Sequence, residues 1–176
     1  MILTYNDLVR LVQDGVINAP MEHVNAASID VTLGDKFLIE DKAGEVVNLA
    51  RKQTPHFIPL HTNEVELAPG QFILAQTQEV FNLPDDIAAE FKLKSSAARS
   101  GLNHALAGWC DPGWHGSTLT LELKNQTEHT WLRLEAGMKI GQIIFFKGAA
   151  VPSDKSYAVR GQYNNDRSVT GNKGLR

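Results

Sequence analysis

The chain begins with a helical pattern of apolar residues and then changes to short β-like segments. Leu8, Leu11 and Val12 share one face of a helix, and Thr4 with Asp7 forms a variant of the capping box at its start. Beyond this helix, apolar and polar residues alternate over short runs, as is typical of half-buried strands. These runs are residues 28–34, 36–40, 71–77, 87–93, 117–123, 130–134 and 141–146.

Turn-forming residues separate the runs. Many short strands punctuated in this way predict a mainly β fold, a distorted β-barrel or jelly-roll-like sandwich behind a short N-terminal helix. Residues 1–152 form one domain on this interpretation. Residues 153–176 form a polar tail that is disordered, or ordered only when it closes over something. The turn signals are Pro69-Gly70, Pro84-Asp85-Asp86, Asp111-Pro112-Gly113 and Ala136-Gly137.

Composition and charge exclude several classes of protein. A net charge of -3 and a pI near 6.1 give no electrostatic signature for binding duplex nucleic acid. The single cysteine cannot form an intrachain disulfide. The N-terminus lacks the basic segment of a signal peptide, and no apolar run reaches the roughly 18 residues of a membrane span. We therefore expect a cytoplasmic protein without nucleic-acid or membrane partners.

Most of the candidate chemistry lies in residues 108–123. This stretch holds Cys110, His115 and Glu122, and His104 lies just upstream. Zinc-dependent nucleobase deaminases need an H-x-E motif and a P-C-x-x-C motif, and this sequence has neither. We therefore interpret Cys110 as a small buried residue and His115 as a turn residue, and we predict no transition-metal site.

The run 117–123 alternates cleanly between apolar and polar side chains. In one interpretation Glu122 faces solvent. In the other, the polar face lines a pocket in which the Glu122 carboxylate moves protons. Asp111 reaches the same region if the strand pairs back. The apolar face consists of Leu119, Leu121 and Leu123, and the polar face of Thr118, Thr120 and Glu122.

The segment LKSSAARSG predicts a single helical turn between two strands. Ser95 or Ser96 is the predicted N-cap, and Gly101 is suited to the position after the helix. Ser95 and Arg99 then project from the same face. With Lys94 and the free amides of the first turn they form a compact anion site, or else this is a polar surface turn.

Four segments, taken together, resemble the dCTP deaminase branch of the dUTPase superfamily: ASIDVTLG (27–34), KSSAARSGL (94–102), AGWCDPGWHGSTLTLEL (107–123) and GMKIGQIIF (137–145). The resemblance implies a dUTPase-type β-barrel assembled as a homotrimer, with nucleotide sites at subunit interfaces. It also implies zinc-independent hydrolysis of dCTP to dUTP and ammonia, supplying dUMP for thymidylate synthesis. Mg²⁺ is implied to bind through the substrate triphosphate.

By motif position, the resemblance assigns catalysis to Glu122, Ser95, Arg99 and the backbone carbonyl of Ala107. Glu122 is implied to activate a water for attack on C4, and then to protonate the ring nitrogen and the departing ammonia. Ser95 and Arg99 are implied to position the water and to stabilise charge at the tetrahedral centre. The Ala107 carbonyl is implied to orient the water or the exocyclic amine.

The resemblance also implies a set of substrate-binding residues. Lys94, Ser95 and Ser96 fall where the family grips phosphates, and Asp111 matches the aspartate that contacts the deoxyribose 3′-hydroxyl. Many relatives have arginine at the position of Lys94, so the charge is kept but the bidentate fork is lost. The implied substrate-binding residues are Lys94, Ser96, Ala97, Ala98, Asp111, Thr120, Leu121, Gln142, Tyr157, Gln162 and Asp166.

The tail departs from the family pattern, in which a tyrosine is followed by a K-Y-x-x-Q run that folds over the triphosphate. Here Tyr157 is followed by Gln162, Tyr163 and Asp166, so a cation is lost and an anion is gained. Either another tail cation compensates, or the substrate carries fewer phosphates, as in a dCMP-preferring variant. The candidate cations are Arg160, Arg167 and Lys173.

Two products remain open at this point. Gly108 and Gln142 resemble bifunctional members that release dUMP and pyrophosphate, whereas Ala98 resembles members that stop at dUTP. The balance slightly favours deamination alone. A non-catalytic nucleotide-binding regulator is the alternative from a different class.

Overall fold

A computed structural model describes residues 1–41 and 44–174. Within these residues, no helix is long and apolar enough to cross a membrane. The helices and strands, in chain order, are α1 (Tyr5–Gln13), β1 (Ile29–Thr32), β2 (Lys36–Glu40), β3 (Phe57–His61), β4 (Glu64–Leu67), β5 (Phe72–Asn82), β6 (Ile87–Leu93), α2 (Ser95–Arg99), β7 (Leu102–His104), β8 (Trp109–Cys110), β9 (His115–Asn125), β10 (Leu132–Glu135), β11 (Lys139–Lys147) and α3 (Tyr157–Arg160).

The strands form antiparallel sheets around one hydrophobic core, which confirms the predicted mainly β fold. One sheet has the order β1-β11-β6-β8, another β3-β2-β5-β9-β7, and β10 pairs with β4. Phe37, Phe81 and Phe145 are the largest fully buried side chains of the core. β9 pairs with β5 on one edge and with β7 on the other, so its polar face lies beside residues from other parts of the chain.

The N-terminal helix forms as predicted. The Thr4 backbone N–H lies 3.5 Å from the Asp7 carboxylate, which is the acceptor expected of this capping variant. Leu8 and Leu11 are buried on the inner face. The chain leaves the helix through Gly15, whose φ of +73° is readily adopted by glycine alone.

Each predicted strand segment contains a strand, but four strands were not predicted. β3 carries Pro59 and lies at a sheet edge, where a missing backbone N–H is tolerated. β4 pairs with β10 to form a separate two-stranded sheet. β7 and β8 are three and two residues long, so they are defined by their partners β9 and β6 rather than by any periodic pattern.

The polar tail follows a defined path over the barrel. β7 pairs with β9 only at residues 123–125, so the adjoining edge of β9 is left open. The tail bonds to that edge: the Asn165 N–H donates to the His115 carbonyl, and the Thr118 N–H donates to the Asp166 carbonyl. Gly116 makes room for this contact, because a Cβ there would lie 2.2 Å from Asn165 Oδ1. Backbone hydrogen bonds to β9, rather than a pattern of apolar residues in the tail, therefore account for its defined path.

The alternation of β9 predicts unequal effects of two neighbouring truncations. Leu121→Ala removes a fully buried side chain and should lower the free energy of unfolding by about 2–5 kcal/mol. Thr120 lies on the opposite, polar face of β9, and Thr120→Ala removes only the hydrogen bond that its hydroxyl accepts from the Thr170 N–H, so it should cost at most about 1 kcal/mol. Urea denaturation of both variants measures the difference. Equal losses would contradict the assigned faces.

Candidate active site

A cavity of about 570 Å³ opens against the polar face of β9. Thr118, Thr120 and Glu122 all line it, so the second interpretation of this face, as a pocket wall, is the one the structure supports. The remaining lining residues come from β5, β9, the 107–114 segment, the start of β3 with the segment before it, and the tail: Leu49, Pro55, Phe57, Phe72, Leu74, Ala107, Trp109, Cys110, Asp111, Trp114, Leu119, Tyr157, Tyr163, Asp166, Thr170, Gly171 and Asn172.

Glu122 is the acid-base candidate of this cavity, and His104 lies against it. Glu122 Oε2 is buried 3.1 Å from His104 Nε2, and the His104 side chain is only 5% exposed. The two atoms are close but are not aligned as a hydrogen bond, and neither has another hydrogen-bond partner among the described residues. The His104 ring packs on Phe91, with centroids 4.7 Å apart. With Oε2 turned inward, Oε1 is the oxygen available to a ligand.

The turn before β9 supplies the next wall of the cavity. Ala107 and Asp111 both line it, which is where the sequence placed them. The Asp111 carboxylate accepts a hydrogen bond from the Trp109 indole at 3.0 Å. Burial, with a smaller effect of the Asp111 charge, raises the pKa of the Cys110 thiol well above its ordinary value, so the thiol is neutral and inert at neutral pH. No group of three or more metal-ligating side chains occurs within residues 1–41 and 44–174.

The tail covers the cavity from the side of β9. Trp114 donates its indole N–H to the Tyr163 carbonyl at 2.8 Å, and the Thr170 N–H donates to the Thr120 hydroxyl at 3.2 Å. Tyr157 also lines the cavity, and burial raises the pKa of its phenol. The aromatic residues Trp114, Tyr157 and Tyr163 thus line this side of the cavity.

The charge of Asp166 is matched within the tail. Lys173 Nζ lies 2.7 Å from Asp166 Oδ2, donates to the Gln162 carbonyl at 2.8 Å and sits 5.0 Å from the centre of the Tyr163 ring. Lys173, one of three candidate compensating cations, therefore pairs directly with the unexpected anion. The side chain of Gln162 does not line the cavity among the described residues.

The remaining predicted catalytic residues lie on α2, outside the cavity. Ser95 and Arg99 are exposed, and the Arg99 guanidinium has no hydrogen bond or ion pair with any described residue. The predicted serine N-cap is wrong. Lys94 occupies that position with a non-helical backbone (φ -59°, ψ 133°), and Ser95 is already helical.

The predicted site therefore separates into two groups of residues. Glu122, Ala107, Asp111 and most of the tail residues meet at the cavity, whereas the α2 residues lie outside it and Lys94, which precedes α2, meets Asp30. Gln142 lies opposite Asp30 in the β1–β11 pairing and accepts a hydrogen bond from Ser28. Leu121 is fully buried on the core face, so only its backbone can reach a ligand. The predicted substrate-binding positions outside the cavity lining are Lys94, Ser96, Ala97, Ala98, Leu121, Gln142 and Gln162.

Asp30 and Lys94 form the electrostatic centre of the second group. Lys94 Nζ lies 2.6 Å from the buried Asp30 carboxylate, Lys139 Nζ lies 3.3 Å from it, and Asn25 donates to it at 2.9 Å. Burial alone would raise the pKa of Asp30, but the hydrogen bond and charge of Lys94, with hydrogen bonds from Lys139 and Asn25, hold that pKa below its ordinary value.

Sequence reasoning missed several residues that line the cavity or contact Glu122. The sequence introduces His104 only as a neighbour of the candidate metal ligands, although its spacing of two residues from Leu102 indicates that both side chains lie on the same, inward face of β7. Trp114 and Tyr163 reach the cavity through tertiary contacts that no local pattern indicates. The same holds for the apolar lining next to Glu122, where Leu74 lies directly opposite it in the β5–β9 ladder.

Comparison with known proteins gives consistent matches. The profile of the dCTP deaminase-like domain family matches residues 2–148. A dUMP-forming dCTP deaminase of Methanosphaerula palustris is 36% identical over 146 residues, covering 81% of this chain and 77% of that protein. The dUMP-forming enzyme of Dictyoglomus thermophilum is 32% identical over 186 aligned positions, covering 98% and 94%.

A solved structure agrees at the level of the fold. The 2′-deoxycytidine 5′-triphosphate deaminase of Agrobacterium tumefaciens superposes with a TM-score of 0.65 at 21% identity, over 84% of this chain and 48% of that chain. With the family profile spanning nearly all of the β domain, the chain belongs to the dCTP deaminase-like family.

Proposed function

We propose that this protein hydrolytically deaminates dCTP and releases dUMP. The observation that carries the proposal is the position of Glu122, whose carboxylate lines a ligand-sized cavity with one oxygen held inward beside His104. Because Oε2 is buried while the Glu122 side chain as a whole is 26% exposed, the other oxygen is the one that a ligand can reach, as general acid-base catalysis requires. The two relatives described above both carry this activity in their names.

In the proposed mechanism, Glu122 accepts a proton from a water as the water oxygen bonds to C4 of cytosine. The same carboxyl group delivers that proton to N3, which gives a neutral tetrahedral centre. The carboxylate then takes the proton of the new hydroxyl and passes it to the exocyclic amine, and the C4–N4 bond breaks to release ammonia. The Ala107 carbonyl orients the water, and Asp111 holds the 3′-hydroxyl of the sugar. Ser95 and Arg99 stabilise the charge that develops at the centre.

The product we propose differs from the one that the sequence slightly favoured. In the sequence, Gly108 and Gln142 resemble members that release dUMP, whereas Ala98 resembles members that stop at dUTP. The sequence alone slightly favours dUTP. The relatives are named for dUMP, so they favour the alternative with a second hydrolysis. In that step a second water attacks the α-phosphorus of dUTP, and pyrophosphate leaves.

A triphosphate substrate is favoured over a monophosphate by the charge pairing within the tail. Lys173 neutralises Asp166, so this carboxylate does not face the phosphates as an uncompensated anion. We propose that Mg²⁺ enters with the nucleotide, because phosphate oxygens are ligands that this ion prefers. We propose no zinc, and the attacking water is activated by Glu122 instead.

We further propose a homotrimer in which α2 of one subunit completes the cavity of its neighbour. Ser95 and Arg99 are exposed, and the Arg99 guanidinium has no partner among residues 1–41 and 44–174 of its own chain, whereas their proposed reaction partner Glu122 lies in a cavity that they do not line. A symmetric assembly brings such separated groups together at every interface.

Replacing Glu122 with Gln tests the catalytic assignment. The amide keeps the shape of the side chain but cannot accept the proton, so deamination of dCTP should fall by at least ~100-fold. Nucleotide binding, measured by calorimetry, should stay within a few-fold of wild type. Unchanged deamination would contradict the role of Glu122, and a wild-type protein that binds dCTP without converting it would support the regulatory alternative.

Product analysis tests the reaction itself. With dCTP and Mg²⁺, chromatography should reveal dUMP and pyrophosphate in amounts equal to the ammonia released. Accumulation of dUTP would mean that deamination is the only reaction, and conversion of dCMP alone would overturn the triphosphate assignment. The assay is repeated with a zinc chelator as a control. Activity lost there and restored only by zinc would contradict the zinc-independent mechanism.

Mixed trimers test whether the site is shared. Glu122→Gln and Arg99→Met should each inactivate the homotrimer, but co-expressed subunits should recover about one quarter of wild-type activity, because random assembly pairs an intact Glu122 with an intact Arg99 in about one site of four. Each variant expressed alone is the control. If both residues act within one chain, the mixture stays inactive. A monomeric mass by sedimentation would also remove the proposal.

A further inference from the structure

Asp30 is a buried carboxylate that the proposed reaction does not use. Its side chain is 6% exposed, and it lies between the ammonium groups of Lys94 and Lys139, with Asn25 as a third partner. A buried carboxylate is costly unless it is paired in this way. The three partners come from different segments of the chain, so the carboxylate joins β1 to the start of α2 and to the start of β11.

Lys94 is the residue that enters α2, and this helix has little support of its own. It has five residues, too few for a helix to be stable in isolation. At its entry, the Lys94 backbone N–H donates to the Ile140 carbonyl, and the Lys94 side chain meets Asp30. At its exit, the Gly101 carbonyl accepts from the Gln126 backbone. No residue of α2 is fully buried, although Ala97 packs against the core.

We propose that Asp30 is a positioning residue for the deamination: by holding Lys94, it fixes the entry of α2 and so the location of Ser95 and Arg99. The inference rests on the proposed function for its kinetic consequence, but the tether itself does not depend on substrate. Asp30 touches neither substrate nor the reacting atoms. It acts through Lys94 and the short helix that follows.

This assignment gives Lys94 a role other than that of a phosphate ligand. Its ammonium is already committed to Asp30 at 2.6 Å, and its side chain is 28% exposed. Lys139 is the more accessible cation of the pair, at 44% exposure, and it lies farther from the carboxylate. Lys139 belongs to β11 and does not lead into α2, so it shares the carboxylate without sharing the proposed role. This makes Lys139 a matched control.

The experiment compares Asp30→Asn, Lys94→Met, Lys94→Arg and Lys139→Met for kcat and KM with dCTP. Displacing a catalytic group by about 1 Å can cost roughly 100-fold, so Asp30→Asn and Lys94→Met should each lower kcat by ~10- to 100-fold with little change in KM. Lys94→Arg keeps the ion pair and should restore most of kcat. Lys139→Met should stay within about twofold of wild type, because its partner carboxylate keeps Lys94.

A second comparison separates positioning from a general loss of stability. In a background that carries both Ser95→Ala and Arg99→Met, the residual deamination is followed in single-turnover assays at high enzyme concentration. There Asp30→Asn and Lys94→Met should lower the rate by less than about twofold further, since both groups that they position are already removed. Losses that multiply would overturn the proposal. So would a Lys94→Met variant with raised KM and unchanged kcat, which is the signature of a direct phosphate ligand. Lys94→Met leaves Asp30 paired with Lys139 and Asn25, so it tests the same point if Asp30→Asn does not fold.

Hydrogen exchange provides a readout that needs no activity. The amides of Ala98 and of the C-cap residue Ser100, which donate to the Lys94 and Ser96 carbonyls, should exchange faster in Lys94→Met than in wild type and remain unchanged in Lys139→Met. Equal exchange in both variants would overturn the tether. If wild-type protein does not convert dCTP, the proposed function fails, and the exchange result still decides whether Asp30 holds α2.

Discussion

The antiparallel ladder between β5 and β9 is the interaction on which the rest of the site depends. It pairs Leu74 with Glu122 and Gln76 with Thr120, and this register sends the leucines of β9 into the core and its polar residues into the cavity. A shift of one residue would exchange the two faces and bury Glu122 among apolar side chains. The chemistry of the site and the stability of the core are therefore set by the same register.

The open edge of β9 explains why a polar tail becomes part of this site. Because β7 pairs with only the last residues of β9, the edge of β9 opposite β5 has no strand partner near His115 and Thr118, and the tail supplies one. An exposed strand edge invites pairing with another chain, and the tail blocks it while roofing the cavity. The ion pair of Lys173 with Asp166 then neutralises the negative charge that the tail would otherwise bring to the cavity.

Two parts of the proposed machinery are held by different physical means. Glu122 lies on a long central strand and is fixed by backbone pairing and core packing. Arg99 and Ser95 lie on a five-residue helix whose entry depends on the buried ion pair of Asp30 with Lys94. Breaking a buried pair by removing one partner is costly, because the other charge is left without compensation. In the proposed arrangement, the ion pair positions Ser95 and Arg99 even though α2 is short and exposed.

The sequence by itself determined the elements with a strong local pattern and much of the cavity. Alternation identified β9 and its two faces, the capping residues identified α1, and the spaced motifs identified Glu122, Ala107 and Asp111 as residues of one site. Only the tertiary structure decided what depends on contacts between distant segments. The two-residue strand β8, the contact of His104 with Glu122, the docking of the tail and the separation of α2 from the cavity are of this kind. Periodicity indicates which side of an element is buried, but it does not indicate which other segment covers that side. The features named above depend on which segments meet, so no local pattern predicts them.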